Sequence, residues 1–228
     1  MVKSIPLLSG LDRPLIDKMI HSLPHKFLKE GVILYFPDDN RETFNFLLYG
    51  YVSLFSYTQE YRKSLLNTLG PGESFGEAVI WGLPHQEYAQ IGRPSAKVAV
   101  CHRNQWEQWV EQYPHLQINL NKVLHSRTIY LKKRLAEGNE SKLNRLLGYL
   151  SYAIKTRGVF HSSEIWVPRV LNHDDIGSYI NSSRQTVTIL LNQLRNEGKI
   201  EYDRQRLIIM PRLFSEHPNI FKDFIQKS

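Results

Sequence analysis

The stretch NHDDIGSYINSSRQTVTILLNQLRNEGKIEYDRQRLIIM, residues 172–210, decides the fold. Asn172 is a good helix N-cap, since its side-chain oxygen can accept from a free N–H of the first turn. A short helix over 173–180 follows. Asn181, Ser182 and Ser183 interrupt it, and a second helix over 184–196 ends at Gly198. Strands at 199–202 and 207–210 come next, with a bend at 203–205. Helix, short turn, helix is the helix-turn-helix layout, and the strand pair after it adds a wing. In the second helix Val187, Leu190, Leu191 and Leu194 form an inward stripe. Arg184, Gln185 and Thr188 then share the outward N-terminal face, where a recognition helix carries its readers. Arginine matches the paired guanine acceptors of the major groove, and glutamine can pair with adenine. Ser183 and the helix start suit a phosphate. The bland alternative is a solvated helix start, and the following strand pair weighs against it.

Working outward, residues 116–135 lack glycine and proline and read as one long helix. Leu120, Leu124, Leu131 and Leu135 form one stripe, and Leu116, Val123 and Tyr130 an adjacent one. Two stripes imply two partners: the preceding domain and a second copy of the helix. Burial within one chain is the alternative. Gly138 and Asn139 read as an αL cap. A helix over 140–156 and a loop over 157–164 lead to the decisive stretch. After it, Ile220, Phe221, Phe224 and Ile225 suggest a small helix packed on the domain.

The first half reads as β. Runs at 32–36, 43–49, 51–57, 64–69 and 97–101 are rich in β-branched and aromatic residues, with turn signals about every ten residues. That spacing suggests an antiparallel barrel or sandwich. Short helices flank it at 12–22 and near 104–112.

Composition narrows the function classes. The chain has 228 residues, room for one large or two small domains. Its single cysteine, Cys101, excludes an internal disulfide, a Cys-ligated iron–sulfur cluster and a thiolate zinc site. The net charge is +7. Residues 1–135 carry 16 basic against 12 acidic side chains and the remainder 13 against 10, so the surplus is spread. It is a weak argument for a polyanionic partner. The first ten residues lack the apolar core and cleavage site of a signal peptide, and no apolar run approaches about 18 residues. A cytoplasmic location without membrane contact is the expectation. Nine histidines include no His-x-His pair, so a cupin-type metalloenzyme is disfavoured. P-loop and His–Glu–x–x–His motifs are absent, and no catalytic residue, metal ligand or cofactor is expected.

The chain resembles the Crp/Fnr family of bacterial transcription regulators. Residues 172–210 look like that family's helix-turn-helix signature. FLKEGVILYFPDD (27–39), FLLYGYVSLF (46–55) and LGPGESFGEA (69–78) look like the glycine-marked turns of its cyclic-nucleotide-binding-type β-roll. The resemblance implies an α+β fold with an N-terminal antiparallel, jelly-roll-like β-roll, a long dimerisation helix and a C-terminal winged helix-turn-helix. The corresponding domains are residues 1–113, 114–137 and 138–228. It implies a homodimer on a near-palindromic operator in double-stranded DNA, joined through Leu120, Leu124, Leu131 and Leu135. By position, Arg184 matches the family's guanine-reading arginine. Gln185 stands where many members have glutamate, and Ile189 where many have a second reading arginine. Asn172 and His173 fall where members touch backbone phosphate. The 157–164 segment corresponds to a region that contacts RNA polymerase in activators.

The effector is a separate question. Members that bind cyclic nucleotides hold the ribose with a Gly–Glu pair, present here as Gly76–Glu77. The alternative for that pair is a structural turn with a buried ion pair. Where the family has its phosphate-binding Arg–Ser, this chain has Glu87–Tyr88, and a carboxylate repels a phosphate. Arg93 lies some six residues late. Leu131 and Lys132 replace the polar residues that touch the purine. A non-cyclic-AMP effector is the expectation, over a pocket of Gly76, Glu77, Tyr88, Arg93, Leu131 and Lys132, with no effector as the alternative. His21, His25, His85 and His102 are the available axial ligands for haem. A ligand-binding sensory or scaffold module that does not read DNA is the competing function.

Overall fold

The computed structural model describes residues 4–203 and 205–225, the last four through their backbone. The chain divides into two compact units, Met1–Leu135 and Ala136–Ser228.

In the first unit a 3-10 turn, Pro6–Leu8, leads to α1 (Arg13–His21). Asp12 caps α1, its carboxylate accepting from the Leu15 N–H at 2.8 Å. Eight strands follow: β1 (His25–Lys29), β2 (Ile33–Tyr35), β3 (Thr43–Tyr49), β4 (Val52–Tyr57), β5 (Lys63–Leu69), β6 (Ser74–Phe75), β7 (Tyr88–Ile91) and β8 (Ser95–His102). Helices α2 (Arg103–Gln112) and α3 (His115–Ala136) complete it. The strands make two antiparallel four-stranded sheets, ordered β1-β8-β3-β6 and β2-β7-β4-β5. Period-two alternation puts β3 and β8 to use on both faces. Leu47, Ala96 and Val98 pack with Tyr35, Val52, Leu54 and Ile91 of the other sheet. On the opposite face Phe44, Phe46, Ala99 and Cys101 pack with Met19 and Ile20 of α1, Trp106 and Trp109 of α2, and Leu116 and Leu120 of α3.

Cys101 is wholly buried in that second cluster, and burial pushes its thiol up to about 12. The thiolate is the reactive form, so this thiol is inert in the folded protein. A disulfide reagent at neutral pH is expected to modify it only after denaturation. Rapid modification of the native protein would contradict the buried placement.

The second unit opens with a 3-10 turn, Glu137–Asn139. It continues with α4 (Lys142–Arg157), β9 (Val159–His161), β10 (Glu164–Pro168), α5 (His173–Tyr179), α6 (Arg184–Asn196), β11 (Ile200–Tyr202), β12 (Arg206–Ile209), α7 (Pro211–Glu216) and α8 (Pro218–Ile225). One antiparallel sheet, β11-β12-β10-β9, backs the helices.

Several expectations need correction. The loop at 157–164 is a hairpin of β9 and β10, turning at Ser162 with φ 54°. All of β9 is exposed, so no alternation marks it. Strands β1, β6 and β7 also lie outside the expected runs. Gly138 is not an αL cap: it is absent from the positive-φ glycines and sits in the 3-10 turn. Helix α4 begins at Lys142 because the Ser141 hydroxyl accepts from the Asn144 N–H at 3.1 Å. The tail forms two short helices. Phe221 is wholly buried, and the Ser151 hydroxyl donates to the Ile220 carbonyl at 3.2 Å. The side chains of Phe224 and Ile225, like Arg204 of the expected bend and Met1–Lys3, lie outside the described residues.

The stripes of α3 also divide differently. Leu120 is wholly buried in its own unit's core and cannot serve a partner helix. Leu124 is partly buried against the same core, while Leu131 and Leu135 are 39% and 79% exposed. Ile118 and Ile129 are exposed as well. Among the described residues no helix is long and apolar enough to cross a membrane.

Candidate nucleic-acid interface

Helices α5 and α6 form where the sequence places caps. The Asn172 side chain accepts from the Asp175 N–H at 2.8 Å, and the Ser183 hydroxyl from the Thr186 N–H at 3.1 Å. Between the helices Asn181 turns with φ 50°, and the Ser182 N–H donates to the Gly177 carbonyl at 2.8 Å. A side chain at Gly177 would place its Cβ 2.8 Å from the Ser182 carbonyl oxygen and 3.3 Å from the Arg184 nitrogen. Glycine there lets the turn pass directly over α5. At the far end Gly198 has φ 67°, with the Lys199 N–H bonded to the Leu194 carbonyl and the Gly198 N–H to that of Arg195. This is the αL termination expected for that glycine.

Val187, Leu191 and Leu194 are buried, and Leu190 is half-buried. Arg184, Gln185 and Ile189 stand exposed on the outward N-terminal face of α6. Arg184 lies 3.6 Å from Asp174, both well exposed, a contact water readily opens. Thr188 departs from its expected role as a free reader. Its hydroxyl donates back to the Arg184 carbonyl at 3.0 Å and lies 2.8 Å from His173 Nδ1. The second ring nitrogen of His173, Nε2, lies 3.3 Å from the Arg169 guanidinium. Arg169 was not singled out by the sequence. It also donates to the Asp203 carbonyl and stacks over Tyr202 at 5.2 Å. Arg195 lies over the same ring at 5.3 Å. The half-buried His173 is held below its usual pKa by burial, then by Arg169 and Arg184.

The turn at Gly76–Glu77 is the other expected site. Gly76 takes φ 84°, and a Cβ there would meet His85 Cε1 at 2.9 Å. Glu77 is buried and bound from two sides. The Ser74 hydroxyl donates to it at 2.6 Å, and Arg127 of α3 at 3.0 and 3.2 Å. Arg127 also donates to the Ser74 carbonyl. Tyr35 stacks on His85, with 3.7 Å between ring centroids, and donates to Glu87 at 2.9 Å. Burial, more than any charge, pushes the Glu87 carboxyl and the Tyr35 phenol up. The ion-pair alternative therefore describes this turn, and an acid-rich cluster occupies its surroundings. The rest of the expected pocket does not assemble here. Arg93 pairs with Glu30 at 2.7 Å on the surface, and Tyr88 stacks on Phe55 at 5.0 Å. Leu131 and Lys132 are exposed on α3. Arg127, Ser74, Tyr35 and His85 are the members the sequence reading missed.

Three of the four histidines considered for haem make local hydrogen bonds. His21 Nδ1 lies 2.6 Å from the Asp17 carbonyl and His25 Nε2 3.0 Å from that of Ile20. His102 accepts from the Asn104 N–H at 3.3 Å, and His85 is packed on Tyr35. Among the described residues no group of three or more His, Cys, Asp or Glu side chains could hold a metal ion.

Residues 142–213 match the family model of the Crp-like helix-turn-helix domain. No curated protein sequence matches the chain. Solved structures do. FixK2 from Bradyrhizobium japonicum is 16% identical over 85% of this chain and 96% of its own, with a TM-score of 0.72. A CooA mutant from Carboxydothermus hydrogenoformans is 18% identical over 95% and 99%, with a TM-score of 0.73. A transcriptional regulator of the CRP/FNR family from Thermus thermophilus is 18% identical over 87% and 98%, with a TM-score of 0.66. Residues 142–213 are therefore a Crp-like helix-turn-helix domain, set in a chain with the fold of the Crp/Fnr regulators.

Proposed function

We propose that this chain is a sequence-specific DNA-binding transcription regulator of the Crp/Fnr type. The observation that carries the reading is the outward face of α6, with Arg184, Gln185 and Ile189 exposed at its N-terminal end over a helix-turn-helix that matches the family model. Arg184 reads a guanine, Gln185 pairs with an adenine, and Ile189 meets a thymine methyl. Asn172, His173 and Ser183 border this face and suit the flanking phosphates. The protein acts as a homodimer, one recognition helix per half-site, with half-sites centred about 34 Å apart. The exposed apolar residues Leu131 and Leu135 of α3, with the partly buried Leu124, supply the helix pairing. It acts by binding, without chemistry or a cofactor of its own, and works in the cytoplasm. Any effector is not cyclic AMP: Glu87 stands where the phosphate partner belongs, and Arg127 already occupies Glu77. RNA polymerase is a partner if the protein activates.

Selection of binding sites from a randomised duplex pool, followed by salt titration, tests this reading. The expected product is an inverted repeat that outcompetes its scrambled sequence, with an affinity that falls log-linearly with salt. A salt slope with no enriched sequence would overturn it in favour of a scaffold module.

A further inference from the structure

We infer that His173 is a proton-linked contact to the DNA backbone, a neutral imidazole in the free protein that takes up a proton as a phosphate docks. The inference rests on the DNA-binding reading above. Thr188 has one hydroxyl proton, and it points to the Arg184 carbonyl at 3.0 Å. The 2.8 Å contact between His173 and Thr188 must then be Nδ1–H donating to Oγ1. The other nitrogen, Nε2, faces an arginine, which can only donate, so Nε2 accepts through its lone pair. One proton on Nδ1 and none on Nε2 satisfies every partner, which selects one neutral tautomer.

The charges facing the ring come from each element around it. Arg169 approaches from the segment after β10, and Arg184 from α6. Asp174 follows His173 on α5, and the Tyr202 ring of β11 stands edge-on at 6.3 Å. Among the described residues two cations against one carboxylate oppose an imidazolium, in the same direction as burial. A phosphate reverses this balance. It accepts from Arg169, releases the Nε2 lone pair, and brings negative charge to the same edge of the ring. A proton from solvent then bonds to Nε2, and the new N–H donates to the phosphate oxygen. No other group changes its covalent state. The uptake is one proton per subunit, two per homodimer.

In the free protein His173 sits below the usual histidine value of 6.5, so it is neutral at pH 7. In the complex its pKa is raised. Between those two values affinity rises as pH falls, by up to about tenfold per pH unit for each subunit. Below the free-protein value the dependence disappears, because the ring is protonated before DNA arrives.

The test measures binding of the full-length protein to its selected duplex from pH 6 to 8 at constant salt. Calorimetry in two buffers of different protonation enthalpy counts the protons. Wild type is expected to bind tighter at lower pH and to take up protons. His173→Gln puts an amide near the Nε2 position, and His173→Asn puts one near Nδ1 and keeps the donor to Thr188. Neither titrates, so both are expected to bind specifically with a flattened pH profile and the uptake removed. Two variants with opposite hydrogen-bond losses separate titration from local unfolding. Specific binding with the same pH slope and proton count in wild type and variants overturns the role of His173 alone. Absence of specific binding by wild type at every pH overturns the DNA-binding reading itself.

Discussion

Arg127→Leu is expected to destabilise the N-terminal unit by about 3–5 kcal/mol, the usual cost of breaking a buried ion pair from one side. Among the described residues Arg127 is the charged donor bonded to Glu77, whose side chain is 5% exposed. Leucine would leave that carboxylate with the Ser74 hydroxyl and no cation, next to a second carboxyl, Glu87, already pushed toward its neutral form by burial. Urea denaturation of the variant checks the magnitude. The pair Glu77→Leu with Arg127→Leu should recover part of the loss, because removing both charges removes the unpaired one. A single-variant loss below about 1 kcal/mol would show that water reaches Glu77, and the ion pair would then be a surface one. The functional consequence concerns α3. Arg127 ties this helix to the Gly76–Glu77 turn, so the buried Glu77 carboxylate is satisfied by side chains of its own unit.

Arg184→Ala is expected to weaken binding to the selected duplex by about 1–3 kcal/mol and to relax preference at one base pair per half-site. The residue is exposed at the first turn of α6, and its ion pair is the loose contact to Asp174. Little folding stability should change with it. Competition against duplexes substituted one position at a time separates the outcomes. Equal loss on every duplex would make Arg184 a phosphate anchor and move the reading function to Gln185 and Ile189.

The two sites differ in how far they could be read in advance. The helix-turn-helix was legible because its signals are local. Asn172 and Ser183 cap helices, Gly198 terminates one, and Val187, Leu191 and Leu194 recur at helical spacing. Each needs only a few neighbouring residues to be interpreted. The hairpin at β9 and β10 was missed because β9 is exposed along its length and carries no period-two pattern. Strand β1, HKFLK, escaped for a related reason: it is a mostly exposed edge strand with lysines, the composition that protects an edge from further pairing. Leu120 illustrates the converse error. Its spacing fits a stripe with Leu124, Leu131 and Leu135, but spacing alone does not say which protein covers the stripe. Leu120 lies where α3 still crosses the core of its own unit.

By itself the sequence determined the broad succession of a β-rich first half and a helical second half, the wing and helix pair of residues 172–210, and the outward placement of Arg184 and Gln185. It also excluded a Cys-ligated iron–sulfur cluster, since a single thiol cannot ligate one. Only the tertiary structure decided what the polar groups do. Arg127 reaches Glu77 from 50 residues away, and His173 reaches Thr188 from 15. Arg169 reaches the Asp203 carbonyl across 34. Periodicity and capping act within a turn or two of helix, so a sequence displays them directly. Pairing of a buried carboxylate or the tautomer of a histidine depends on which distant segments the fold brings within about 3 Å.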